Sequence, residues 1–223
     1  MTTRPGSGLE REDRDVGCVQ LPYWAMAALG KPMATIDTAN LSFTQITTNA
    51  KGAKTLPALC KNGSPVTWQF ADPMECPFDA SAYNDPDGTA NRVTLCVTPS
   101  AHLCATVAAL DAWCIQALSG NPTVLLGMQL SPEQVNERYV SCLKTSEKGY
   151  TSLRTKINRN GRYALQAYTP TKERREHPES WRGCSIQPQI TFKGLYLMGR
   201  EFGPVLECTH GIVHESKGDE CPF

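Results

Sequence analysis

The chain has 223 residues, 40% of them apolar and 20% charged, with 22 Lys+Arg against 22 Asp+Glu. That length suits one large domain or two small ones, and a domain of this size buries roughly 70% of its unfolded surface without covalent staples. Balanced charge and ordinary apolar content exclude wholesale disorder and a histone-like basic protein, and no purely apolar run nears the roughly 18 residues of a membrane span. Residues 1–8 lack the basic start and apolar core of a signal peptide, so the expected compartment is intracellular: the nucleus, or the cytoplasm and its virus factories for a viral chain.

Residues 1–15 alternate charge without apolar periodicity and are expected to form a mobile tail. In 16–33, Leu21, Tyr23, Trp24, Met26 and Leu29 are too apolar for a linker, while Pro22 and Pro32 preclude one continuous element. That segment is expected to pack on a single domain spanning 16–215, with 216–223 as a C-terminal tail. Residues 41–47 alternate with period two, and 66–70 and 92–97 read the same way, which predicts three strands. Between the second and third, residues 79–90, with Asn84-Asp-Pro-Asp-Gly88, read as an exposed loop whose acidic residues lack the spacing of a calcium loop.

The period changes at Ser100. Leu103, Val107, Leu110, Cys114 and Leu118 recur every three or four residues, between a capping Ser100 and Ser119-Gly120, which predicts a helix. A second follows, opened by the capping box Ser131-Pro-Glu-Gln134 and carrying Val135, Tyr139 and Leu143 on one face. This helical insert spans about 100–145. Asn160-Gly161 between the strand-like runs 153–157 and 162–168 predicts a tight hairpin pairing 159 with 162 and 157 with 164. Arg154 and Lys156 would then share a face with Tyr163 and Leu165, and Arg159 and Arg162 would cluster at the tip. Beyond the charged loop 171–179, strands are predicted at 185–192, 195–198 and 202–213, with Gly194, Gly199 and Gly203 marking turns or bulges.

Charge is unevenly placed. Residues 1–140 carry net −4, residues 141–176 net +6 and residues 177–223 net −2. A neutral chain with Lys144, Lys148, Arg154, Lys156, Arg159, Arg162, Lys172, Arg174 and Arg175 inside 36 residues has a local positive field suited to a polyanion. Tyr150, Tyr163 and Tyr168 lie among these cations, and flat rings beside phosphate-seeking groups are what unpaired bases need for stacking. The bland alternative is a surface hairpin with solvated charges and ordinary strand tyrosines.

Three strands, a helical insert, a hairpin and further strands match the order of a mainly β (α+β), enlarged OB-type barrel with its helices between the third and fourth strands; an α+β sheet with two packed helices has the same linear pattern. Specific stretches favour the barrel. Leu153-Arg-Thr-Lys-Ile-Asn158 with Asn160-Gly-Arg-Tyr163, Ala164-Leu-Gln-Ala-Tyr168 before a Lys/Arg-rich loop, and Gly194-Leu-Tyr-Leu-Met-Gly-Arg-Glu-Phe-Gly203 together resemble the OB-fold single-stranded-DNA-binding proteins of large cytoplasmic DNA viruses. The resemblance is distant and covers most of the chain from Leu41 onward. In the third stretch Tyr196, Arg200 and Phe202 fall where that family has an aromatic, a basic and an aromatic residue. Pro204 and Val205 depart from its pattern of aromatic and basic residues, and the first 40 residues have no counterpart.

The expected function is therefore binding of single-stranded DNA, with RNA as an option, with little sequence specificity, in replication, recombination or repair. Arg154, Lys156, Arg159, Arg162, Lys172, Arg174, Arg175 and Arg200 are candidates for phosphate, and Tyr163, Tyr168, Tyr196 and Phe202 for bases. The competing reading is a protein-binding adaptor that uses an exposed strand edge or the tail. No phosphate-loop, dinucleotide, zinc-protease or nucleophile-elbow motif occurs, so neither catalysis nor a cofactor is expected. The ten cysteines are at least eight residues apart and none forms a C-x-x-C, which favours reduced, buried thiols. Cys208, His210, His214 and Cys221 are the one possible metal cluster, since 208, 210 and 214 share a face of a regular strand; they are expected not to ligate.

Overall fold

The structure is a computed structural model that describes residues 36–215, apart from Lys51 and Asn84. The expectations for 1–15, 16–33, 216–223 and Cys221 lie outside the described residues. The strands are β1 (Leu41–Phe43), β2 (Thr47–Thr48), β3 (Lys54–Cys60), β4 (Val66–Gln69), β5 (Met74–Glu75), β6 (Arg92–Val97), β7 (Leu143–Thr145), β8 (Thr151–Asn158), β9 (Gln166–Tyr168), β10 (Arg174–Arg175), β11 (Ser185–Met198) and β12 (Glu201–His214). Three helices, α1 (Ala101–Gly120), α2 (Pro122–Leu126) and α3 (Pro132–Arg138), are inserted between β6 and β7.

One sheet runs in the order β1-β3-β11-β12-β8-β6, built around the long antiparallel pair β11 and β12. Its far edge folds back on itself. β5 pairs with β11, the Thr98 N–H donates to the Glu75 carbonyl at 2.8 Å, and Ser81 and Thr94 exchange backbone hydrogen bonds of 3.0 and 2.7 Å. Residues 74–81 thereby return the hydrogen-bond path from β6 to β11. β12 runs parallel to β8 and β9 and antiparallel to β11. The fold is thus mainly β, an enlarged OB-type barrel whose helices separate the third and fourth of the strands anticipated from sequence.

Alternation explains the interior. Val93, Leu95 and Val97 of β6, Leu153 and Ile157 of β8, Ile190 and Phe192 of β11 and Leu206 and Cys208 of β12 face one core, which also receives Leu103, Val107, Leu110, Cys114 and Leu118 of α1. The Ser100 hydroxyl accepts from the Leu103 N–H, so α1 starts where its cap predicts. By length and composition α1 also qualifies as a membrane span, with mean hydropathy 1.4; scanning for unbroken apolar runs misses this because Asp111, Gln116 and small residues interrupt it.

Four expectations are corrected. First, α3 ends at Arg138, because the chain is drawn into the sheet: Tyr139 bridges Phe202 and the Val140 N–H donates to the Phe202 carbonyl at 2.8 Å. Leu143 consequently lies in β7, opposite Leu153. Second, the tight hairpin at Asn160-Gly161 does not form. β8 ends at Asn158, β9 begins at Gln166, and β9 pairs with β10 and β12 rather than β8. The turn is held outward by Asn91, whose amide accepts from the Asn160 N–H at 2.6 Å and donates to the Asn160 carbonyl at 3.2 Å.

Third, β3 is an additional strand between the first and second of those expected, and it contains Pro57, a residue usually kept out of central strands. Pro57 is tolerated opposite Gly194, where β11 bulges between Phe192 and Leu195. A Cβ at Gly194 (φ +112°) would sit 2.1 Å from the Leu56 carbonyl oxygen, so only glycine permits this approach. Fourth, that bulge joins the two strands predicted at 185–192 and 195–198 into one.

Candidate nucleic-acid interface

The outward side of the barrel wall is polar by the same alternation that fills its core. On β8, Arg154, Lys156 and Asn158 point outward; on β6, Arg92, Thr94 and Cys96 lie opposite them. Lys156 is half-buried and donates from Nζ to the Thr94 hydroxyl at 2.7 Å. Burial, then the neighbouring Arg92, hold its pKa below the ordinary lysine value. Tyr196 lies across the β11–β12 pair from Gly203, and its Cε1 and hydroxyl come within 3.0 and 3.2 Å of where a Cβ at 203 would stand. The ring therefore covers the glycine.

Above this floor is a groove of about 510 Å³ lined by Lys144, Arg154, Lys156, Cys96 and Tyr196. One rim is the 81–83 segment, ending in Tyr83, which is 95% exposed; the other is Val140, Ser141 and Cys142. The second rim is fastened from α1: Asp111 accepts from the Tyr139 hydroxyl and the Ser141 hydroxyl, both at 2.6 Å. Burial raises the Asp111 pKa, opposed by those two hydrogen bonds.

A second hollow of about 480 Å³ continues along the same faces of β6 and β8, where Arg92 and Asn158 succeed Thr94 and Lys156. It holds Arg92, Arg162, Lys193, Tyr163 and the buried Glu207. Arg162 stands 5.8 Å from the centroid of the Tyr163 ring, and Arg92 pairs with Glu207 at 3.3 Å. Six cations and three tyrosines thus line these two neighbouring hollows, together with one buried carboxylate, Glu207.

Of the residues singled out from sequence, the structure brings Arg154, Lys156 and Tyr196 together in the first groove and Arg162 and Tyr163 in the second hollow. Arg159, Arg174 and Arg175 line a different groove of about 950 Å³, beside Glu176 and Glu179. There Arg175 pairs with Glu215, and the Arg159 guanidinium donates to the Gly88 and Ala80 carbonyls at 2.5 and 3.2 Å. Lys172, with φ +67°, forms the turn between β9 and β10, and Arg200 is exposed in the turn between β11 and β12.

Phe202 and Tyr168 are corrections. Phe202 is 1% exposed, on the core side of β12 opposite Leu197 and against the Tyr139 ring, and Tyr168 is buried beside Ile212. In the free protein neither ring face is open to a base. Tyr83, Arg92, Lys144 and Lys193 were missed as site residues. Lys144 had a signal in its membership of the basic segment; the others lie far apart in sequence and meet only through strand pairing.

Cys208, His210 and His214 do not share a face. A bulge between Gln189 and Ile190 sets Cys208 opposite Ile190 on the core side and His210 opposite Gln189 on the other. The Cys208 thiol is buried, with its pKa pushed up by desolvation, and no group of three metal-ligating side chains occurs among the described residues.

No protein-family model matches the chain, and no curated protein does. Solved structures similar to this chain include two of one phage protein. The single-stranded DNA-binding protein of bacteriophage Enc34 in complex with ssDNA aligns over 78% of this chain and 96% of its own, at 11% identity and a TM-score of 0.45. A C-terminal truncation of the same phage protein aligns over 82% of this chain and 98% of its own, at 11% identity and a TM-score of 0.43. These two come from a bacteriophage rather than from a large cytoplasmic DNA virus.

Proposed function

We propose that this protein binds single-stranded DNA without catalysis and with little sequence selectivity, along the outward faces of β6, β8 and β12, in the service of replication, recombination or repair. One observation carries the reading: Lys144, Arg154 and Lys156 line the same open groove as Tyr196, and a second hollow on the same strands is lined by Arg92, Arg162, Lys193 and Tyr163. Cations on a rim attract phosphates and rings on a floor stack bases, and neither interaction carries much sequence information. The strip lies on the outward side of the sheet where β12, β8 and β6 are neighbours.

Titration of fluorescent oligo-dT, oligo-rU and a duplex of matched length tests this. Tightest binding to oligo-dT, weakened by salt, is expected. Equal affinity for duplex would place the interaction on backbone charge alone, and no binding to any of the three would leave the adaptor reading in its place.

A further inference from the structure

Arg159 belongs to the basic segment by sequence, yet its guanidinium is spent on main-chain carbonyls. It bonds Ala80 at 3.2 Å and Gly88 at 2.5 Å, the two shoulders of the loop that carries Tyr83. The backbone beside it is stitched to the end of the same loop: the Arg159 N–H donates to the Asn91 carbonyl at 2.8 Å, and the Asn91 amide takes both the N–H and the carbonyl of Asn160. Within the loop, the Asp85 carboxylate accepts from the N–H groups of Thr89 and Ala90 at 2.9 and 3.0 Å, which ties its descending limb. The ascending limb joins the barrel through Ser81 and Thr94.

A planar five-donor fork is suited to bridging two carbonyls that belong to separate parts of a loop. Here the fork fixes the span between residues 80 and 88, and so the base of the loop from which Tyr83 extends. Tyr83 is almost wholly solvent-exposed and borders the groove floored by Tyr196. An aromatic ring with no packing role, facing a groove that already offers one ring, has a clear use if an unpaired base enters between them.

We infer that Tyr83 and Tyr196 form the two sides of a base-binding cleft, and that Arg159 is a positioning residue that holds the Tyr83 loop in place rather than a phosphate ligand. The inference rests on the proposed single-strand binding for its ligand, a nucleobase; the latch itself is a property of the free protein. Arg159 touches no DNA in this arrangement. Its removal therefore changes affinity through Tyr83, and leaves the number of neutralised phosphates as it was.

Four proteins decide the matter: the parent, Tyr83→Ala, Arg159→Ala and the double variant, each titrated with oligo-dT over a series of salt concentrations. Tyr83→Ala is expected to weaken binding by roughly 5- to 150-fold, the range for one stacked base. Arg159→Ala should weaken it in the same direction with an unchanged salt slope, and the double variant should be no weaker than the worse single one. A slope shallower by about 0.7 in Arg159→Ala, with additive losses, would make Arg159 a phosphate ligand and overturn the inference. Should Arg159→Ala fail to fold, Arg159→Lys keeps the charge without the fork: parental affinity would point to a phosphate contact, and loss at constant slope to the latch.

Hydrogen exchange of residues 80–90 in the DNA-free protein tests the latch independently. Faster exchange there in the Arg159 variants supports it, and unchanged exchange defeats it, whatever the protein binds. Absence of oligo-dT binding by the parent would instead remove the proposed function and with it the base-binding role of Tyr83.

Discussion

Tyr196 and Gly203 face each other across the β11–β12 pair, and the tyrosine ring lies over the backbone that the glycine leaves bare. The same bareness admits the Val140 carbonyl, which would stand 2.2 Å from a Cβ at 203. One missing side chain therefore both seats the ring on the groove floor and lets the 140–142 rim close against the barrel. Gly203→Ala is expected to destabilise the fold by about 1–3 kcal/mol through overpacking and to weaken single-strand binding as the ring is displaced. Urea denaturation with a parallel oligonucleotide titration checks both effects; an unaltered midpoint would show that the rim adapts.

Ionic strength should govern affinity. With about four phosphates neutralised along the strip, log affinity for a single strand falls with log salt at a slope of about −3, at −0.7 per phosphate. A flat response in a salt series would refute the electrostatic half of the proposed function.

Glu207 is the buried carboxylate of that strip, and it ties up Arg92 at 3.3 Å. Glu207→Gln releases Arg92 and removes a charge that repels phosphate, so affinity should rise and the salt slope should steepen by about 0.7. Arg92→Ala does the opposite to the carboxylate, leaving it buried without its cation, and is expected to lower the melting temperature. A Glu207→Gln protein that binds more weakly than the parent would mean that the ion pair shapes the site rather than competing for it.

Tyr163 and Phe202 separate stacking from packing. Phe202 is fully buried, so Phe202→Ala should cost about 3–5 kcal/mol of stability and leave the affinity of the folded fraction alone. Tyr163 is 71% exposed, so Tyr163→Ala should leave the melting temperature unchanged and lower affinity by about 1–3 kcal/mol. Calorimetry and anisotropy on the two variants check the contrast; a drop in melting temperature for Tyr163→Ala would assign its ring to the fold.

Asp111 makes stability depend on pH with a definite sign. Its folded pKa is raised above the ordinary 3.8, so in the window from 3.8 up to that raised value the folded state holds more proton than the unfolded one. Stability is therefore fullest at the acid end of this window and is lost as pH rises through the folded pKa. In Asp111→Asn this component is absent. From pH 3.8 upward the midpoint of the parent should fall relative to that of Asp111→Asn as pH rises, and parallel curves would show that Asp111 is not the titrating group.

Local chemistry made much of the barrel legible from sequence alone. The strands at β6, β8 and β12 and the helix α1 announce themselves by period, and Ser100 and Ser131 cap as their positions dictate, because these signals act within a few residues. The basic segment was equally visible, since charge is a property of composition. Its division was not: Arg154 and Lys156 go to one groove, Arg159 to loop carbonyls and Arg175 to Glu215. Which groups meet depends on pairings between residues tens of positions apart, such as Thr94 with Lys156 and Tyr196 with Gly203. The bulges at Gly194 and between Gln189 and Ile190 each invert the alternation beyond them, and with it the side on which every later residue of the strand lies. That is why regular alternation groups Cys208 with His210, whereas the register that separates them exists only once β11 and β12 have found one another; Phe202 is a binding candidate through the family resemblance alone, and its burial is likewise set by the pairing of β12 with β11.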